Sequence, residues 1–345
     1  MRSVVIHPPH DLRVEDIADE AMGPGQVRVA VKAGGICGSD MHYYRHGGFG
    51  TVRVKAPMVL GHEASGIVHS VAPDVTSVAV GDRVAINPSR PCRACRYCLE
   101  GLPNHCENMR FYGSAMPWPH VQGAFRDELV CDAGQCEAVS GGVSYEEMAL
   151  CEPLAVVLHA AHQAGSLLQK RVLVTGSGPI GALAVAVARH LGAEEILATD
   201  VLPEPLAVAR KLGADRTIDV SASPGDLAAY GAGKGTFDVL FECSGDEGAI
   251  RTALPTMRPG ASVVQLGLAG GEVAFPLNLV VAKELAFRGS FRFGNEFSLA
   301  AKLIGSRRLD LRPLLTRTFP VDDALTAFEA AGDRRRAMKV HLAFG

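Results

Sequence analysis

Hydrophobic positions follow two different rhythms along the 345 residues. Over roughly the first 150 the apolar runs are short and broken by Gly and Pro, as in QVRVAVKAG (26–34), SGIVHSV (65–71) and GDRVAI (81–86). Such runs between turn residues predict short strands and an irregular, mostly β unit. From residue 171 the rhythm changes. RVLVTG is a continuous apolar run of buried-strand length, and PIGALAVAVARHLG behind it has helical spacing closed by Gly192. EEILATD then reads as a strand and LPEPLAVARKLG as a helix, with prolines in its first turn and Gly213 as its stop. FDVLFECSG, EGAIRTALPTM and ASVVQLGLAG continue the alternation, which predicts a parallel sheet covered by helices. After about residue 287 the alternation weakens, ending in a helix, ALTAFEAAG, and a strand, AMKVHLAF.

Length agrees with two units, at about 150 residues each. A composition of 48% hydrophobic and 21% charged residues is that of an ordinary soluble protein. The net charge of −3 comes without a long basic run, which argues against nucleic acid as the main partner. The densest positive patch, GDRRRAMKV (332–340), reads as a solvated turn. The opening MRSVVIHPPHDLRVEDI, with no long apolar core and early acids, is not expected to act as a signal peptide, and GALAVAVARHLGA, broken by Arg189 and His190, is too short to span a bilayer. Nine cysteines, four of them within fifteen residues, point to a reducing, cytoplasmic compartment and metal binding instead of disulfides.

Two motifs carry the first chemistry. VTGSGPIG sets Gly176, Gly178 and Gly181 in G-x-G-x-x-G register between strand and helix. The first glycine permits the turn, and the second lets backbone approach a pyrophosphate at the helix N-terminus. Asp200, nineteen residues after Gly181, ends the next strand, where a carboxylate would bond the adenosine ribose. Pro179 and Ile180 from the turn, and Ser244, Leu266, Gly267 and Leu268 from later strand ends, are expected at the same site. Asp200 would repel a 2′-phosphate and Val201, Leu202 and Pro203 supply no cation, so NAD is expected over NADP.

The second motif is PCRACRYCLEGLPNHC, which spaces Cys92, Cys95, Cys98 and Cys106 as C-x2-C-x2-C-x7-C. That suits one closed tetrahedral zinc; an iron–sulfur cluster is the competitor, although ferredoxin runs bring their fourth cysteine closer and before Pro. Arg90, Arg93 and Arg96 interleave with the ligands and are expected to offset the charge of four thiolates. A zinc ribbon also serves binding proteins, a reading that the dinucleotide motif and the weak negative charge disfavour.

GGICGSDMH, GHEASG, the four-cysteine lobe, EPLAV and GSGPIG occur in the order found in zinc-dependent medium-chain dehydrogenases. On these five motifs the whole chain resembles that family, and its polyol branch, which includes sorbitol dehydrogenase. Finer stretches, among them GGICGSDMHYY, KAPMVLGHE, MRFYGSAM and RGSFRF, resemble the L-idonate 5-dehydrogenases within it. The resemblance implies an α/β fold: a GroES-like catalytic domain over 1–152 and 288–345, with its zinc lobe at about 88–110, and a Rossmann NAD-binding domain over 153–287. It implies two zinc ions per chain, the catalytic one held by Cys37, His62 and Glu152, with Glu63 as a neighbouring carboxylate that exchanges in. Cys151 makes the third ligand the least settled, since alcohol dehydrogenases use a cysteine near that position. Ser39 resembles the hydroxyl that accepts the substrate proton, and His42 the solvent-side end of the relay.

The implied reaction is oxidation of L-idonate to 5-keto-D-gluconate with NAD, with a neutral polyol such as sorbitol or xylitol as alternative substrate. A metal-free binding or structural relative is the remote alternative. A sugar-acid carboxylate needs a cation: Arg292 is the first candidate, followed by Arg110, His46 and His120, with Tyr43 also expected against substrate. The polyol branch further implies a homotetramer.

Overall fold

A computed structural model describes residues 1–140 and 142–345 of the chain. The first unit is organised by the ten-residue strand Gln26–Gly35, whose Val27, Val29, Val31 and Ala33 alternate into the core. Glu63–Val71, Glu128–Asp132 and Lys339–Ala343 all pair antiparallel with it. Leu315–Pro320 adds a parallel edge strand to Lys339–Ala343, so the last strands of the chain return to its first sheet. Phe125, Phe328, Phe344 and Leu60 fill the layer beneath.

Between these segments lies a six-stranded parallel sheet. Its spatial order is Arg216–Asp219, Glu195–Asp200, Arg171–Thr175, Phe237–Glu242, Met257–Gln265 and Ala286–Gly289. The order reverses beside Arg171–Thr175, the switch point where such sheets open a ligand crevice. The expected boundary at 287 cuts the sixth strand, which the sequence hides because Phe287, Arg288 and Gly289 are all exposed. Helix Cys151–Ala164 packs against both Pro179–His190 and Phe297–Gly305 and joins the two units through one apolar cluster. Among the described residues, no helix is long and apolar enough to cross a membrane.

A zinc and dinucleotide cleft as candidate active site

Cys37 ends the turn after strand Gln26–Gly35 and precedes helix Gly38–His46. Its backbone N–H donates to Asp40 Oδ2 at 3.0 Å, which fixes the helix start. Ligand atoms of Cys37, His62 and Glu63 lie within 4.8 Å of one another. A thiol, an imidazole and a carboxylate gathered this closely, with His62 and Glu63 buried and Cys37 partly exposed, form a donor set that suits zinc. Asp40, wholly buried, lies 3.8 Å from His62 Nδ1, beyond hydrogen-bond reach but close enough for its charge to act on the ring. Glu152 is buried beside the trio but outside that tight set, on the first turn of helix Cys151–Ala164. Burial pushes its carboxyl up to about 8, against the pull of His62. Burial and the Glu63 charge likewise push Cys37 up to about 11.

Lys339 was not foreseen. Its Nζ lies 2.7 and 2.8 Å from the Glu63 oxygens and 3.3 Å from the Ile36 carbonyl. Gly35 makes room for this pair, since a Cβ there would stand 2.3 Å from Glu63 Oε2. One signal was available: a lysine inside the apolar strand AMKVHLAF requires a buried partner.

The four lobe cysteines also hold their sulfurs within 4.8 Å of one another. Tetrahedral Zn–S bonds place sulfurs about 3.8 Å apart, a better match than the wider spacing round a multi-iron cluster. Cys92 N–H donates to Cys106 Sγ at 3.1 Å, and Cys95 N–H to Cys92 Sγ at 3.3 Å. The interleaved arginines behave differently from expectation. Arg90 pairs with Asp132 at 2.6 Å and Arg96 with Glu100 at 2.8 Å, because carboxylates lie within reach of both.

Across the cleft, Gly176 adopts φ 78° and opens the turn. A Cβ on Gly181 would stand 1.8 Å from the Gly176 carbonyl oxygen, so helix and turn approach as only glycine allows. A Cβ on Gly178 would meet nothing within 4 Å, leaving the helix N-terminus open. A cavity of about 770 Å³ runs past Gly176, Gly178, Asp200, Ser244 and His42, and one of about 360 Å³ past Cys37, Glu63, Pro179, Ile180 and Lys339. His42, Gly178, Cys243 and Arg334 line both, so the two form one groove ending at the metal donors. Asp200 accepts from Ser177, Val201 and Leu202 N–H groups at 2.7–3.1 Å. Val201, Leu202 and Pro203 supply no cation, but a residue far along the chain does: Arg334 Nη2 lies 2.9 and 3.2 Å from the Asp200 oxygens. Leu266, Gly267 and Leu268 follow strand Met257–Gln265 but line neither cavity, and Leu268 is 75% exposed.

The residues expected to meet substrate separate. Arg292 sits 4.2 Å over the Phe111 ring, which also lies 5.6 Å from the ring of His62 and 6.4 Å from that of Phe293. Its backbone is left-handed, φ 53°, a conformation that costs a non-glycine residue. Burial lowers its pKa, opposed by the nearby charges of Glu152 and Tyr43, and it lines neither cavity of the groove. The Tyr43 hydroxyl accepts from Ala115 N–H at 3.1 Å. Arg110 lies elsewhere: it precedes Phe111 in a two-residue strand, alternation turns it to the opposite face, and it lines a separate depression with Arg90 and Gln122. His120 has both ring nitrogens engaged, with Pro117 O at 3.1 Å and Lys55 N–H at 2.8 Å. His46 lines the smaller cavity, beside Arg45.

Residues 23–141 match the family model "Alcohol dehydrogenase GroES-like domain", and 179–306 match "Zinc-binding dehydrogenase". L-idonate 5-dehydrogenase (NAD(P)(+)) of Escherichia coli (strain K12) is 44% identical over 319 residues, 92% of this chain and 91% of the relative. This chain belongs to the zinc-binding alcohol dehydrogenase family. Within that family, sorbitol dehydrogenase of Gallus gallus is 37% identical over 343 residues, covering 99% of this chain and 95% of its own. The crystal structure of the Escherichia coli L-idonate 5-dehydrogenase superposes with a TM-score of 0.95 at 40% identity, over 99% of this chain and 98% of that one. The chain is therefore an oxidoreductase of the polyol and sugar-acid dehydrogenases, with a GroES-like unit and a Rossmann unit.

Proposed function

We propose that this enzyme oxidises the secondary alcohol of L-idonate to 5-keto-D-gluconate, with NAD preferred as hydride acceptor. The observation that carries the reading is Arg292, held one aromatic ring from the metal donor His62. A guanidinium there suits a substrate with a carboxylate, and the Escherichia coli relative is named for such a substrate. Cys37 and His62 would hold a catalytic zinc, with Glu152 or Glu63 as third ligand; Cys92, Cys95, Cys98 and Cys106 would hold a structural one. Zinc in the first site supplies Lewis acidity that brings an alcohol's pKa toward neutrality. Ser39, two residues from Cys37, takes the released proton, and His42, exposed and lining both parts of the groove, passes it to solvent. Asp200 and the 176–181 turn bind and orient the dinucleotide.

A neutral polyol is the second reading, supported by the sorbitol dehydrogenase relative. Reduced-dinucleotide formation across a panel of aldonates and polyols decides between them. The proposal expects kcat/KM for L-idonate at least about tenfold above that for sorbitol or xylitol, a gap of roughly 1.4 kcal/mol. Equal or better turnover of a polyol transfers the assignment to that substrate. We also propose a homotetramer in the cytoplasm, which light scattering and cell fractionation would test.

A further inference from the structure

Arg334 belongs to the turn between helix Ala324–Ala331 and strand Lys339–Ala343, in the unit that carries the metal donors, yet it reaches the carboxylate that ends a Rossmann strand. The two residues stand 134 positions apart. Asp200 is buried, whereas the Arg334 side chain is 53% exposed and lines both parts of the groove.

Three backbone N–H groups and this guanidinium already surround the Asp200 carboxylate. A ribose hydroxyl bound there must share or displace the guanidinium, the one exposed side chain among the four donors. A phosphate esterified to that hydroxyl would sit within a few bond lengths of the carboxylate, and so of Arg334. An isolated aspartate rejects such a phosphate by like-charge repulsion. With a half-exposed guanidinium beside it, the same pocket can turn an N–H fork from carboxylate to phosphate.

We propose that Arg334 is a specificity-determining residue that moderates the NAD preference set by Asp200 and keeps a 2′-phosphorylated dinucleotide usable. The inference rests on the reading of this groove as the dinucleotide site. With NAD bound, Arg334 yields to the ribose hydroxyls. With NADP bound, it leaves Asp200 for the phosphate.

The test is direct binding. The metal-replete enzyme is titrated with NADH and with NADPH, following nicotinamide fluorescence, for wild type, Arg334→Ala and Arg335→Ala. Arg335 is the neighbouring exposed arginine and controls for general surface charge. Arg334→Ala should raise the NADPH Kd by about tenfold or more while the NADH Kd shifts by less than about threefold, and Arg335→Ala should leave their ratio in place. An NADPH/NADH Kd ratio within about twofold of wild type in Arg334→Ala, or an equal change in Arg335→Ala, overturns the proposal while the site reading stands. Failure of the wild type to bind either dinucleotide overturns both.

Discussion

Lys339 Nζ lies within 2.8 Å of both oxygens of Glu63, and both side chains are sealed from solvent. Burial lowers the lysine's pKa, but the charges of Glu63 and Cys37 outweigh it, so the ammonium is held above its ordinary value. Lys339→Met would strand a buried carboxylate. Urea unfolding of the metal-free protein should show a loss of about 3–5 kcal/mol, most of it recovered by adding Glu63→Gln. A loss below about 1 kcal/mol in the single variant would contradict the pair's role.

A second buried carboxylate governs the acid side. Glu296 Oε1 accepts from Nδ1 of His159 at 3.0 Å and of His162 at 2.9 Å. Burial pushes its pKa up, but these bonds pull harder and bring it from 4.5 down to about 2. Its contribution is therefore present above pH 4.5 and lost as pH falls toward 2. Glu296→Gln should remove at most about 3 kcal/mol at neutral pH and flatten the acid limb of a stability–pH curve. An unchanged limb would show that other groups set it.

Metal loading should release protons. Before zinc arrives, Cys37 titrates at about 11 and Glu152 at about 8, so both carry protons at neutral pH. Zinc takes the anions, hence affinity at this site should rise with pH. Calorimetry in buffers of different ionisation enthalpy measures the release directly. Cys98→Ser should lower zinc content by about one per chain, counted by elemental analysis, and lower Tm.

Arg292→Ala should raise KM for L-idonate by about tenfold or more and change KM for sorbitol little, since only the first carries a carboxylate. Equal losses on both substrates would assign Arg292 to packing on Phe111 instead of recognition.

Gly181→Ala would force a methyl group against the Gly176 carbonyl, where the ideal separation is 1.8 Å. Dinucleotide affinity should fall by about a hundredfold in fluorescence titration, while zinc content at the four-cysteine lobe is unchanged. Retained affinity would mean that the turn tolerates displacement.

The local motifs were legible because each completes its geometry within a few residues. Cys92 to Cys106 fold back on themselves, and Gly176, Gly178 and Gly181 need only the strand before and the helix after. Family resemblance supplied what spacing alone could not, the meeting of Cys37 with His62. What stayed hidden was long-range pairing. Arg334 read as part of a solvated turn because nothing near it in the chain is a buried acid, and Asp200 lies 134 residues away. Arg110 was misplaced for another reason: a two-residue strand is too short to show which of its members faces the cleft.

The pairing of Glu63 with Lys339 spans 276 residues. At about 5–20 residues per second, a ribosome would expose the glutamate roughly 14–55 seconds before its lysine. Throughout that interval the nascent first sheet lacks strand Lys339–Ala343, and by its end the inserted parallel sheet, whose last strand stops at Gly289, has been fully synthesised. The Glu63–Lys339 pair can therefore close only after the strands of the inserted parallel sheet have been made.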